Sequence, residues 1–319
     1  MDNKQLADEW VAWLRNTKHC QTSTLRQYGD TIDRWSDWVT DVTKVRPQDI
    51  EEFMQRPRPR SGLPSASTQN KDRAVLTTFY RWLQAKGMVD NNPTFFVGAP
   101  KVRNRQPKAI PDDVFKQFWS SIELAEDRVW VGLGAFAGLR RMEICSVAPS
   151  HFDLNAQKLN YLTRKGGGQF PVEYADMARV ISDGLPDVLP DAEQWIDEVA
   201  ELVEYREGEH VLVCWDLPAT PNSRALYSLA RHVPSPDVLY KNLAKLIRHA
   251  GLPKGVFSPH ALRHTAATNL VRCGVPIEIV RDQLSHSSID TTMRYLQNSD
   301  RLGQWHKTNR GVIRGGRSG

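Results

Sequence analysis

Six side chains in the last two thirds of the chain have types and spacing suited to one kind of chemistry. Gly138-Leu139-Arg140-Arg141-Met142-Glu143 supplies a first arginine, and Ser258-Pro259-His260-Ala261-Leu262-Arg263-His264-Thr265 supplies a histidine and a second arginine three residues apart. Leu284-Ser285-His286-Ser287-Ser288 places His286 twenty-three residues beyond Arg263, and Thr291-Thr292-Met293-Arg294-Tyr295 places a tyrosine nine further on. Lys165 lies between the two arginines in sequence, immediately before Gly166-Gly167-Gly168. A phosphodiester under attack gathers negative charge on its non-bridging oxygens, and a protein without a metal must set fixed positive donors where that charge develops. Arginine suits this: its planar guanidinium stays charged and its forked donors meet two phosphate oxygens at once. Tyrosine, with a reference pKa of roughly 10, is ionised in only about one molecule per thousand at neutral pH. A tyrosine nucleophile therefore needs a neighbouring base and a positive field. The set reads as a phosphate clamp, Arg140 with Arg263, followed by a nucleophile, Tyr295.

In residue type and spacing these blocks resemble the signature of the tyrosine recombinase (phage integrase) family. The resemblance implies that His260 is the base that takes the phenol proton and that His286 is a further donor to the phosphate. The leaving deoxyribose 5′ alkoxide also needs a proton, and the family carries a lysine for it on a β-hairpin after the first arginine. Lys158 to Val172 alternates polar and apolar residues on either side of Gly166-Gly167-Gly168, as a hairpin does. Lys165 is then the matched acid, with Arg164 adjacent to it. Glu143, three residues after Arg140 on a helix, would share its face and hold the guanidinium in place.

Other readings of the same residues are weaker. His260 and His264 have the spacing of a helical zinc pair, but the hydrolase glutamate is missing and no third ligand is apparent. The three glycines are not followed by Gly-Lys-Ser or Gly-Lys-Thr, and their flanks read as strands, which does not support nucleotide binding. Tyr295 capping a hydrophobic cluster is the alternative that its offset from His286 argues against. No metal and no cofactor is expected.

The chain of 319 residues is long enough for two domains, and its formal net charge is +5. That charge is unevenly spread. Residues 1–110 hold 18 Lys and Arg against 12 Asp and Glu, whereas residues 183–209 hold one against ten. An acidic segment thus masks a basic surface of the kind that meets nucleic acid. Cys20, Cys145, Cys214 and Cys273 are scattered without Cys-x-x-Cys spacing, against a zinc site or a disulfide framework. Met1 to Trp10 is polar, with no signal peptide apparent. The longest apolar run, Val129 to Leu139, is eleven residues, well short of the roughly 20 that span a bilayer. The expectation is a cytoplasmic, DNA-associated protein without a membrane anchor.

The elements that must position these residues follow from periodicity. Leu6, Trp10, Trp13 and Leu14 form one helical stripe; Leu25, Tyr28, Ile32, Trp35 and Val39 form another; Val75, Leu76, Phe79, Trp82 and Leu83 form a third. Pro47 with Asp49-Ile50-Glu51 starts a short helix. Helical spacing makes the tryptophans core residues rather than base-stacking platforms. This arrangement, closing with Phe79 to Leu83 and Asn92-Pro93, resembles the family's core-binding domain, which grips one face of a duplex while the catalytic domain grips the other. Thr68, Asn70, Lys71 and Arg73 match its DNA contacts, with a solvated helix face as the alternative. Arg56-Pro57-Arg58-Pro59-Arg60 is stiff and basic, suited either to a phosphate backbone or to an exposed loop. Lys101, Arg103, Arg105 and Lys108 fall in an interdomain linker where positive charge favours phosphate contact.

The expected fold is mainly α with a small antiparallel β-sheet. It comprises a helical, SAM-like core-binding domain at 1–98, a basic linker at 99–110, a mixed α+β catalytic domain at 111–300 and a tail at 301–319. Asp112 and Asp113 open the first catalytic helix, with Phe115, Phe118 and Trp119 in it. An acidic insert at about 183–209, with Trp195, Ile196, Val199, Leu202 and Val203 at helical spacing, reads as an added helix facing away from DNA, since ten acids would repel phosphate. Ser285 stands where the family usually has glycine, a change that a helix start tolerates. Leu302 and Trp305 are the anchors if the tail docks on a neighbouring protomer, as family tails do.

The resemblance implies a simple core-site recombinase of the integrase, excisionase or resolvase type, without an arm-binding domain. Its partners would be double-stranded DNA carrying inverted-repeat core sites, a homotetramer on two duplexes, and an accessory directionality protein where one steers the reaction. A type IB DNA topoisomerase and a catalytically silent, recombinase-derived DNA-binding protein are the alternatives.

Overall fold

The computed structural model describes residues 2–18, 20, 22–58, 62–102, 109–163, 169–213 and 235–285. The chain divides into two compact units between Arg105 and Gln106. It is mainly helical, with one small antiparallel sheet of three strands.

The first unit holds α1 (Asn3–Thr17), α2 (Thr22–Trp38), α3 (Pro47–Gln55) and α4 (Ala66–Ala85), then a 3-10 turn, Pro93–Phe96. Its apolar stripes converge on one aromatic core. Trp10 and Trp35 are fully buried, Trp10 stacks on Tyr28 at 5.8 Å, and Trp35 meets Phe53 edge-on at 5.0 Å. Burying such rings supplies about 1.5–3 kcal/mol each, less where the indole N–H is buried without a partner among the described residues, as at Trp10. Trp35 Nε1 donates to Tyr80 Oη at 3.1 Å, and that hydroxyl donates to the Val42 carbonyl at 3.1 Å. Proline at the first position of α3 has a fixed φ suited to a helix start. In α4 the Ser65 side chain accepts from the Thr68 amide.

The second unit holds α5 (Asp112–Ser120), α6 (Ala125–Ala135), α7 (Arg141–Ser146) and the strands β1 (Phe152–Asp153), β2 (Lys158–Thr163) and β3 (Gln169–Val172). Then come α8 (Tyr174–Gly184), α9 (Ala192–Tyr205), α10 (Pro236–His249), α11 (Pro259–Arg272) and α12 (Ile277–Leu284). The sheet order is β1-β2-β3, with Leu159 opposite Val172 and Thr163 opposite Gln169, so β2 and β3 are the arms of the hairpin expected around the glycines.

The apolar run Val129–Leu139 is the middle of this core: α6 lies against α11 and α9. Close packing needs glycine on α6, since a β-carbon at Gly132 would lie 2.3 Å from the Trp195 ring. The acidic segment thus contributes the expected helix, α9, whose apolar side joins the core. Trp195, Ile196, Val199 and Val203 of α9 are buried, and Glu198 is buried against Arg128, whose Nε donates to both its carboxylate oxygens at 2.8 and 2.9 Å. The remaining acids of α9 occupy its outer face. Arg272 at the end of α11 grips Asp112 at the start of α5 with two hydrogen bonds of 2.8 and 2.7 Å, fixing the helix that carries two of the chemistry-bearing residues.

Candidate active site

Three segments far apart in the chain meet at one place. The first is the turn from α6 into α7. Gly138 has φ of +73°, which reverses the chain after α6, and Arg140 then caps α7. The expectation that Arg140 and Glu143 share a helix face is corrected in geometry: Arg140 precedes the helix. Glu143, at the third helical position, accepts from the Arg140 backbone amide at 2.7 Å and from its Nη1 at 2.8 Å. One buried carboxylate thus satisfies an orphan amide of the helix start and orients the guanidinium.

The second segment is the first turn and a half of α11. Ser258 caps it and Pro259 occupies its first position. Arg263 is 1% exposed, so its charge needs compensation throughout. Its Nη1 donates to the Gly138 carbonyl at 2.6 Å, its Nη2 donates to the Leu284 carbonyl, and Nη1 lies 3.8 Å from Glu143 Oε2. His260 and His264 stand one turn apart on the same helix, rings in edge-to-face contact at 4.3 Å. His260 is exposed overall, but protein crowds its ring on one side. That desolvation, then Arg263 and Arg140, hold its pKa below the ordinary histidine value. The shift favours the neutral imidazole.

The third segment is the end of α12. Ser285 has φ of 46° and ψ of 55°, the left-handed conformation. This corrects the reading of Ser285 as a residue near a helix start: it closes a helix, at the position where glycine is favoured because it has no β-carbon to clash. The turn presents two successive carbonyls. Leu284 accepts from Arg263, and Ser285 accepts from Arg140 Nη2 at 3.1 Å. Carbonyls at a helix C-terminus carry partial negative charge, so they suit a pair of cations. Gln283, buried, adds a tie by donating to the Ala137 carbonyl at 3.3 Å and accepting from the Glu173 amide at 3.4 Å.

The structure therefore brings together Arg140, Glu143, His260 and Arg263. Lys165, His286 and Tyr295 lie outside the described residues, as do Arg103, Arg105, Lys108 and the tail with Leu302 and Trp305. Sequence reasoning missed Gly138, Gln283 and the Leu284 and Ser285 carbonyls; the only signal available was a glycine two residues before the first arginine.

In the first unit, Thr68 and Lys71 line an open pocket of about 370 Å³ with Arg26, Arg34 and Arg58. Asp72, 3% exposed beneath it, pairs with Arg34 at 3.3 Å and with Arg58 at 2.5 Å. Arg58 is thus held in an ion pair, and Arg56 lies over the Trp38 ring at 4.8 Å. Asn70 and Arg73 are turned onto the chain leaving this unit. Asn70 donates to the Pro100 carbonyl at 2.8 Å, and Arg73 donates to the Val97 and Thr94 carbonyls at 2.9 and 3.3 Å. Lys101 follows directly and is exposed. A larger open pocket of about 870 Å³, lined by Asp2, Asp41, Asp49 and Glu52 with Lys44, is acidic and holds none of the chemistry-bearing residues.

The chain thus pairs a helical unit with a mainly helical unit that carries a small sheet and two carbonyl-braced arginines. The phage integrase family profile matches residues 109–301, and that of the phage integrase N-terminal SAM-like domain matches residues 7–87. The chain belongs to the tyrosine recombinase (phage integrase) family. It is 24% identical to a tyrosine recombinase of Thermosipho africanus over 90% of this chain and 93% of that protein. It is 27% identical to tyrosine recombinase XerD of Mycobacterium leprae over 90% of each. Among solved structures, a lambda integrase dimer bound to a COC′ core site superposes with a TM-score of 0.67 at 16% identity, over 92% of this chain and 76% of that one. XerH site-specific recombinase bound to a palindromic difH substrate gives 0.62 at 16% identity, over 97% and 84%. No helix among the described residues is long and apolar enough to cross a membrane.

Proposed function

We propose that this chain is a site-specific DNA recombinase that cuts and rejoins one strand at a time through a 3′-phosphotyrosine. The observation that carries the reading is the convergence of Arg140 and Arg263, braced by Glu143 and by the Gly138, Leu284 and Ser285 carbonyls, beside His260, whose setting favours the neutral imidazole. The two guanidiniums bind the scissile phosphate and stabilise the charge that grows on its oxygens. Tyr295 Oη forms a bond to phosphorus while the bond to the 5′ oxygen breaks. The phenol proton passes to His260, Lys165 protonates the leaving 5′ oxygen, and His286 donates to the phosphate in the transition state. The ester energy is retained in the phosphotyrosine, so the 5′-hydroxyl of a partner strand rejoins without ATP, metal or cofactor. Four protomers on two duplexes, each duplex carrying inverted-repeat core sites, would pass through a four-way junction. Thr68, Lys71 and the Arg26, Arg34 and Arg58 pocket serve the first unit's grip on the duplex backbone, and Lys101, Arg103 and Arg105 extend it. Asn70 and Arg73 support that grip by holding the outgoing chain.

The test is a set of nicked suicide duplexes tiling the DNA that flanks the protein's own gene, run on a denaturing gel beside Tyr295→Phe. A slow-migrating covalent band that vanishes in the variant supports the reading. A band that persists in the variant overturns the nucleophile. Salt-sensitive binding without any band points to a silent DNA-binding protein, and supercoil relaxation without junctions points to a topoisomerase.

A further inference from the structure

One side chain in contact with the site has no part in the proposed reaction. His264 follows His260 by one turn of α11, and the two rings meet with centroids 4.3 Å apart and planes inclined by 68°. We propose that His264 is a positioning residue for the base: its ring restricts rotation of the His260 side chain and keeps that imidazole beside Arg140 and Arg263. The inference rests on the assignment of His260 as the base.

The need for such a partner follows from where His260 sits. It is the second residue of α11 and is exposed overall, so packing on one side of the ring alone leaves its rotamer open. An imidazole has a broad two-fold χ2 preference, so the ring has several orientations of similar energy unless a neighbour chooses one. His264 can choose because it is itself held. It is partly buried, between Arg263 and Thr265, each 1% exposed, on the helix that lies against α6. An imidazole displaced by about 1 Å loses up to roughly a hundredfold in rate.

The electrostatics agree with the geometry. Burial first, then His260 and Arg263, push the His264 pKa down to about 4. It therefore packs on the base as a neutral ring and adds no like charge that would weaken the proton acceptor. The charged groups facing the pair among the described residues are Arg263 on the same helix and Arg140 at the start of α7, with Glu143 behind both guanidiniums.

The experiment measures single-turnover formation of the covalent complex on a nicked suicide duplex, at saturating full-length protein, with DNA affinity measured separately. His264→Ala should slow cleavage roughly tenfold at unchanged affinity. His264→Phe keeps a flat ring and should stay within about threefold of the parent; His264→Leu fills space without a ring and should be as slow as alanine. The double variant with His260→Ala should be no slower than His260→Ala alone, since the two act as a unit. Parent-like rates in His264→Ala, or rescue by leucine as complete as by phenylalanine, would overturn the positioning role. A parent-like rate in His260→Ala itself would instead overturn the base assignment. The Phe and Leu pair keeps the test decisive if the alanine variant folds poorly.

Discussion

Gly138 offers the sharpest test of how the arginine pair is held, because one added methyl group would fall between the two residues whose carbonyls hold Arg263. The residue has φ of +73°, and a β-carbon built there lies 2.4 Å from Leu284 Cδ2. Left-handed backbone costs an L-residue about 1–2 kcal/mol. Leu284 is 0% exposed, so its methyl has no solvent to move into, and overpacking a filled core costs about 1–3 kcal/mol more. Gly138→Ala should therefore destabilise the protein by about 2–5 kcal/mol, a large share of the roughly 5–15 kcal/mol typical of a domain. The strain also falls on function, since the Gly138 and Leu284 carbonyls are the acceptors of the two Arg263 Nη groups. Gly255→Ala is the matched control in the same unit: its φ is also +73°, but nothing lies within 4 Å of the added carbon, so only the backbone penalty applies. The assay is urea denaturation of both full-length variants, with covalent complex formation measured well below either midpoint. Gly138→Ala should unfold at clearly lower urea and cleave at least about tenfold more slowly, as expected for a misplaced transition-state contact. Gly255→Ala should show the smaller stability loss and parent-like cleavage. Equal midpoints for the two variants, with parent-like cleavage in both, would refute the account of Gly138.

Glu143→Gln keeps the size of the side chain but removes the negative charge beside two cations, one of them buried. Breaking such a pair costs about 3–5 kcal/mol, and because glutamine retains one acceptor the fall in melting temperature should correspond to the lower part of that range. Ser285→Gly relieves a positive φ of 46° and should raise the melting temperature by the equivalent of about 0.5–1 kcal/mol, the left-handed penalty less the added chain entropy of glycine. The pH dependence follows from His264. Its pKa is near 4 in the fold against 6.5 unfolded, so the unfolded chain binds the extra proton between those values. That contribution to stability is complete above about pH 6.5 and declines as pH falls toward 4. Urea midpoints at pH 7 and 4.5 should differ less in His264→Phe than in the parent.

The helices were legible wherever an apolar stripe faced one core, as with Trp10, Trp35 and Phe79, because burial repeats with the helical turn. The proximity of Glu143 to Arg140 was legible too, but for the wrong geometric reason. A three-residue spacing serves equally for a shared helix face and for a cap that lies outside the helix, and only the backbone decides between them. Ser285 was misread because serine is a strong helix-start signal, whereas the left-handed turn it occupies leaves no mark in its own side chain. The helix within residues 183–209 was legible from the spacing of Trp195, Ile196, Val199 and Val203, but the net charge of the segment averages over both faces of α9 and does not show how deeply that apolar side is buried. Asn70 and Arg73 have the side chains of phosphate-contacting residues, and nothing in their identity shows that carbonyls of residues 94–100 already engage them. The carbonyls around the arginine pair were the least legible feature, since every residue has one.

The bracing of Arg140 has a consequence in donor arithmetic. A guanidinium carries five N–H groups in a fixed plane, and the contacts to Glu143 Oε1 and Ser285 O occupy two of them among the described residues. Three remain, enough for a side chain to be immobilised by its own protein and still offer a forked pair to a ligand. Lysine has three donors on one freely turning nitrogen. Two of them would be consumed by the same bracing, leaving one contact and no fork. Position 140 therefore demands arginine twice over, once for the scaffold and once for the phosphate. Substitution by lysine there should behave as the loss of a rigid part, even though the charge is kept.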